Sequence, residues 1–279
     1  MVPLFAYCAV YFLLAGVAIN LCYHRALSHR ALMLPKWLER GAVTLGLPAG
    51  TPIQWAGNHR FHHGHTDVPG DPHSPKLDGF WFAHVGWYIQ SHNPVACFLY
   101  AIAGPVRSLF DAYHRPRTNR EHDHLAPEIA ADPYYRFISR PGPYFILVLL
   151  HAAFFFGIAF LLWGWLGVAL LWLTLVIVYN LGDAIDSVAH IFGHRPYRSP
   201  HLARNHWFLG ILTLGEGWHA NHHEFPQSAR HGLLPGQLDW TWGLIRVLQR
   251  IGLATQVKVP SSEEIRERLA TEVVDAKAA

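Results

Sequence analysis

The chain has 279 residues, enough for one large domain or two small ones. Half of them (51%) are hydrophobic and only 15% are charged, against ~25% in soluble domains, which points to a membrane protein. The net charge is only +3 with histidine neutral, so charge gives no basis for a nucleic-acid partner.

Residues 3 to 22 carry no charge, and twenty such residues suffice to cross a ~30 Å hydrocarbon core as one helix. No basic n-region or small-x-small cleavage site accompanies this stretch, so it reads as a span and not as a signal peptide. Arg25, Arg30, Lys36 and Arg40 follow at once, which by the positive-inside tendency assigns that end to the cytoplasm. Cys8, Cys22 and Cys97 form no C-x-x-C pair and are expected to be buried and reduced.

Residues 41 to 58 are uncharged but broken by glycine and proline, and read as a membrane-adjacent segment. Residues 79 to 88 are dense in aromatic side chains, as interfacial segments are. Residues 107 to 140, rich in Arg, His and Pro, read as an irregular cytoplasmic connection. From 141 to 182 there is again no charge. One helix of that length would run ~60 Å, too long for a single crossing. A turn at Trp163-Gly164-Trp165 would divide it into spans 143 to 162 and 165 to 182. His151, inside the first of these, is expected to hydrogen-bond to a neighbouring helix. Residues 238 to 251 read as an amphipathic helix, and the charged tail 261 to 279 is expected to fray. The resulting fold class is an all-α integral membrane protein. Three spans carry a cytoplasmic helical cap, formed by residues 23 to 140 and 183 to 260 of one domain.

The chemistry is signalled by histidine. Of 21 in the chain, eight fall in three clusters: His24 and His29; His59, His62 and His63; His219, His222 and His223. The pattern H-x-x-H-H occurs twice, and on a helix its members share one face. Cysteine is absent from all three clusters, which argues against a structural zinc site. All-nitrogen ligation suits iron, copper, nickel or zinc. Eight imidazoles exceed what one ion needs, so two metals sharing them is the economical reading.

These boxes resemble those of the membrane-bound fatty acid desaturases, with the Δ9 acyl-CoA and acyl-lipid branch the most similar. The likeness extends through Gly70-Asp71-Pro72-His73, residues 79 to 87, His190-Ile191-Phe192-Gly193-His194-Arg195-Pro196-Tyr197 and Gly215-Glu216-Gly217-Trp218-His219. The resemblance implies a dinuclear centre of two iron ions with nine histidine ligands. The ninth would be His190, which precedes Phe-Gly-x-Arg-Pro-Tyr. It further implies O2 as co-substrate, a long-chain acyl substrate on CoA, carrier protein or lipid, and insertion of a cis double bond. No haem motif is fused to the chain, so an external electron donor is expected, a ferredoxin or a cytochrome with its reductase. The expected location is a bacterial inner membrane with the active site on its cytoplasmic side.

Three departures stand out. The family usually has two spans before its first box, and only one fits here. Asp186 stands where the family usually has Asn four residues before the ninth histidine. Asp183, beside Gly182, occupies a bulky tunnel-lining position, which makes Gly182 and Asp183 the candidates for the substrate tunnel. Asp183, Asp186 and His190 share a helical face, and charge in such a place is costly and usually functional. The two aspartates motivate one alternative, a related di-iron lipid hydroxylase. A metal-storage protein without turnover is another.

Ligating imidazoles need acceptors on their second nitrogens. Asn58, Asp71, Asp186, Glu216 and Asn221 are the candidates, and Arg60 is expected to pair with a carboxylate. His65, His73 and His194 lie near the boxes and are assigned hydrogen bonding, not ligation.

Overall fold

The first helix changes character where the histidines begin. In the computed structural model, which describes residues 1–269, an α-helix over Val2–Val17 widens without a break into a π-helix over Ala18–Ser28. In an α-helix, side chains five residues apart point ~140° away from each other. A π-helix closes i→i+5 bonds and brings such pairs nearly into line. The His29 amide donates to the His24 carbonyl at 3.1 Å, and the H-x4-H spacing thereby becomes a pair on one face.

Arg25 lies between those two histidines and is fully buried. It donates to Glu216 at 2.9 Å, to Asp239 at 3.1 Å and to the Ala229 carbonyl at 2.8 Å. Its charge is matched inside the protein, so Arg25 drops out of the basic residues counted after the first span.

The uncharged stretch from residue 141 is a helical hairpin. The Pro141–Asp186 segment turns at Gly164, whose φ of 60° and ψ of −148° suit glycine alone. Tyr7 donates to the Phe155 carbonyl at 2.7 Å, and the Tyr11 hydroxyl lies 3.1 Å from His151 Nε2. These bonds tie the first helix to the hairpin, and His151 has the neighbouring-helix partner expected of it. By length and composition, Val2–Ser28 and the Pro141–Ile191 segment that contains the hairpin are long and apolar enough to cross a membrane. The three cysteines are buried and free.

Residues 107 to 140 are not irregular. Helices cover Pro105–His122, Pro127–Ala131 and Pro133–Ile138. Each opens on a proline, which is tolerated in the first turn where its missing N–H has no partner to lose. Those prolines mark helix starts, and reading them as breakers produced the error. Pro105–His122 pairs with Pro94–Ile102 at a bend of 110°, an apolar pair that the sequence reading did not contain. The second box lies on the helix Pro52–His65, whose N-terminus Thr51 caps by accepting from the Gln54 amide. Trp240–Arg250 is helical as expected, capped by Asp239 and anchored by buried Ile245. Ser262–Arg268 is also helical, with a capping box between Ser261 and Glu264, so the start of the tail is ordered. The rest of the tail lies outside the described residues.

Candidate metal centre and adjoining cavity

All nine imidazoles predicted from the sequence converge, and they do so as two groups. His24, His29, His59, His63 and His222 place one ring nitrogen each within 4.8 Å of one another, and His62, His190, His219 and His223 do the same. The two H-x-x-H-H boxes divide their members in complementary fashion. From the second box, the i, i+4 pair His59 and His63 joins the first group while His62 joins the other. From the third, His219 and His223 join the second group while His222 crosses to the first. Adjacent histidines point ~100° apart on a helix, so each H-H pair serves both groups. The rings of His63 and His223 stack at 4.3 Å where the groups meet.

Within the groups the facing atoms are Nε2. They lie 2.8 Å apart for His29 and His59, 2.8 Å for His63 and His222, 3.1 Å for His24 and His222, and 3.0 Å for His190 and His219. On the outer edges, His24 Nδ1 donates to Glu216 at 2.5 Å, His62 Nδ1 to Asp71 at 2.8 Å and His190 Nδ1 to Asp67 at 3.1 Å. A carboxylate only accepts, so these bonds put the proton on Nδ1 and leave Nε2 as a bare lone pair. Where both facing nitrogens are unprotonated, lone pairs at ~3 Å repel unless a cation stands between them. The donor set therefore fits two cations. It is all nitrogen, five on one side and four on the other, with the charge supplied by carboxylates one bond further out.

Burial favours the neutral form of seven of the nine rings. His29, His59, His62, His63, His219, His222 and His223 are all pushed well below the usual imidazole range, first by burial and then by neighbouring imidazoles. Burial would raise the Glu216 carboxyl, but His231, Arg25 and His24 outweigh it and hold the group well below its ordinary value. Asp67 is likewise held ionised, burial being overcome by His190 and by the Leu202 amide and Ser74.

Of the expected acceptors, Glu216 and Asp71 touch imidazoles. Asn221 is buried but holds backbone, donating to the His231 carbonyl at 2.6 Å and accepting from Asn205 at 2.7 Å. Among the described residues Asn58 makes no side-chain hydrogen bond, and Asp186 faces a cavity instead of an imidazole nitrogen. The structure adds Asp67, which the sequence reading missed. Its position one turn beyond His63 was the available signal. His231, also missed, brings Nδ1 to 3.2 Å from Glu216, and the His201 ring lies 5.1 Å from His223. His65 bonds to the Phe61 carbonyl at 3.0 Å, whereas His73 stacks on His62 at 4.3 Å and His194 pairs through its backbone with Asn205. Arg60 pairs with Glu128 at 2.5 Å, as expected, and donates to the Leu27, Ser28 and Leu125 carbonyls at 2.8 Å.

Beside the first group lies a cavity of about 170 Å³, bordered by His24, His59, Trp55 and His219 at one end. Its walls come mainly from the first helix and the second arm of the hairpin, and they include Gly182, Asp183 and Asp186. Asp183 is not a free charge there. Arg107 neutralises it through both oxygens, which removes one of the two observations behind the hydroxylase alternative.

Residues 2–237 match the family model for fatty acid desaturase. The chain belongs to the fatty acid desaturase family. It is 39% identical over 260 residues to a probable lipid desaturase of the chloroplast of Arabidopsis thaliana, covering 90% of this chain and 62% of that protein. It is 36% identical to an acyl-CoA C20 Δ5-desaturase of Anemone leveillei (95% of this chain, 74% of that protein). An sn-1 stearoyl-lipid 9-desaturase of Anabaena variabilis is also 36% identical (91% and 84%). The chain thus spans somewhat under two thirds of the length of the chloroplast relative. The desaturase match covers all three boxes and both arms of the hairpin.

Proposed function

We propose that the chain is a membrane di-iron, O2-dependent fatty acyl desaturase that introduces a cis double bond, at Δ9, into a long-chain acyl substrate carried on CoA, carrier protein or lipid. The observation that carries the reading is the pair of imidazole groups, with the Nδ1 atoms of His24, His62 and His190 held by carboxylates, set against a largely apolar cavity that His24, His59 and His219 border. The first iron would be held by His24, His29, His59, His63 and His222, and the second by His62, His190, His219 and His223. An unactivated methylene resists acids, bases and nucleophiles, and the bound metals supply the oxidising chemistry that the protein's own groups lack.

The chain's residues contribute the rest. Glu216, Asp71 and Asp67 hold protons on Nδ1 and so keep lone pairs on Nε2. Trp55 stacks on His59 at 5.1 Å and walls the cavity beside it. An apolar cavity at the centre would exclude water and hold an acyl chain in fixed register. Electrons would come from a separate ferredoxin or cytochrome system. The centre would lie on the cytoplasmic side of a bacterial inner membrane, a reading supported by Arg30, Lys36 and Arg40 just after the first box.

Expression in a host without desaturases, followed by lipid profiling, tests this. Wild type should give monounsaturated chains lighter by ~2 Da than the saturated parent, whereas a hydroxylase would add ~16 Da. His222→Ala should abolish the product while the protein still accumulates in membranes. Undiminished product from that variant would refute the site.

A further inference from the structure

One arginine joins the first two histidine boxes. Arg60 stands between His59 and His62 on the helix Pro52–His65, and its guanidinium reaches the C-terminal end of the π-helix. Nη2 donates to the Leu27 carbonyl and Nε to the Ser28 carbonyl, each at 2.8 Å. Nη1 donates to the Leu125 carbonyl at 2.8 Å, and Glu128 accepts from Nη2 at 2.5 Å. A helix end leaves its last carbonyls without partners, and Leu27 and Ser28 are the last two residues of this one, both buried. Runs of i→i+5 bonding are rare and mostly a single turn, yet this run covers eleven residues. Uncommon backbone of that kind persists where its surroundings over-determine it. Just beyond, the chain leaves the helix through His29 and then Arg30, which is left-handed at φ 50°. His29 Nε2 ends 2.8 Å from His59 Nε2, so the residue next to His59 holds the backbone that carries His59's neighbour in the first imidazole group.

We propose that Arg60 is a positioning residue for the dinuclear centre: by capping Leu27 and Ser28 it holds the π-helical turn that aims His29 into the first imidazole group. This rests on the metal reading above. The residue type follows from the geometry. A guanidinium presents donors in a rigid fork and can serve two adjacent carbonyls at once, whereas a lysine ammonium carries its charge on a single nitrogen and does not reproduce the fork. Glu128 accepts from Nη1 and Nη2 and leaves the bonds to Leu27 and Ser28 in place. Its carboxylate therefore steadies the fork, and the two carbonyls receive its effect. Losing the fork would leave two buried carbonyls unsatisfied, and the last π turn would relax, with His29 attached to it.

A double-mutant cycle separates this role from a general contribution to stability. Wild type, Arg60→Met, His29→Ala and the double variant are purified as full chains in detergent and loaded with Fe2+. Iron per chain is then measured under graded chelator. Arg60→Met should release one of the two ions at ~10–100-fold lower chelator, the usual cost of losing a group that orients a ligand, and should keep the other. In the His29→Ala background the same substitution should have little further effect, because the imidazole it positions is already gone. Glu128→Gln, which spares the carbonyl bonds, should hold iron as wild type does. If Arg60→Met does not accumulate in membranes, Arg60→Lys takes its place in the cycle. Additive losses, wild-type retention in the Arg60 variant, or equal release from Glu128→Gln overturn the proposal and leave the desaturase reading intact. A wild type that retains no iron, or a His29→Ala protein that holds both ions as tightly as wild type, overturns the metal reading itself.

Discussion

Glu216→Gln is the most informative single change at the centre, because the carboxylate serves three donors with two oxygens. One oxygen accepts from Arg25 at 2.9 Å. The other accepts from His24 Nδ1 at 2.5 Å and lies 3.2 Å from His231 Nδ1. The amide has the same shape but only one acceptor. If its oxygen stays with Arg25, its NH2 group faces the N–H of His24. That imidazole then moves its proton to Nε2, and the first group loses a lone pair. Removing a partner of this kind typically weakens metal binding 10–100-fold, or ~1.4–2.7 kcal/mol. The fold itself should lose less. Arg25 keeps Asp239 and the Ala229 carbonyl, so about 1–3 kcal/mol of charged hydrogen bonding is at stake. The assay is iron per chain in detergent-purified protein under graded chelator, alongside double-bond formation in lipids. Wild-type iron retention and wild-type activity in a folded Glu216→Gln protein would refute the tautomer reasoning.

Asp67→Asn should act on the other group. His190 loses its charged acceptor, and iron should fall towards one per chain while the five-imidazole group stays filled; loss of both ions together would count against two separable sites. Gly164→Ala places a Cβ at φ 60°, ψ −148°, a conformation that costs ~1–3 kcal/mol outside glycine. Thermal unfolding should report that loss, and an unchanged midpoint would mean that the hairpin turn is not as described. Glu128 bridges Arg30 and Arg60. Burial would raise its pKa, but hydrogen bonds from Arg60 and Arg30 bring it down to about 2. A depressed folded-state pKa contributes stability above the unfolded value of ~4.3, which is lost as pH falls through the folded value. Wild type should therefore be more stable than Glu128→Gln at pH 7, with the gap closing between pH ~4.3 and about 2. A gap independent of pH would show that charge is not its source.

Composition and spacing determined much of this protein. Uncharged runs of span length fixed the first helix and the hairpin, and Trp163-Gly164-Trp165 located its turn, because a hydrocarbon solvent tolerates only helices with satisfied backbones. The repeated H-x-x-H-H determined the imidazoles, since helical periodicity puts them on one face. His190 was legible only through family likeness, for a lone histidine carries no local pattern. Tertiary structure decided how the nine rings divide into five and four. It also decided that the π-helix brings His24 and His29 into line, and that Asp67 and not Asn58 or Asn221 meets a ring. The same holds for Arg25, Arg107 and Arg115, which sequence could only read as charges for the surface. Whether such a side chain faces water or a buried carboxylate depends on which helix packs against it, and Arg107 meets Asp183 on another helix, 76 positions away in sequence.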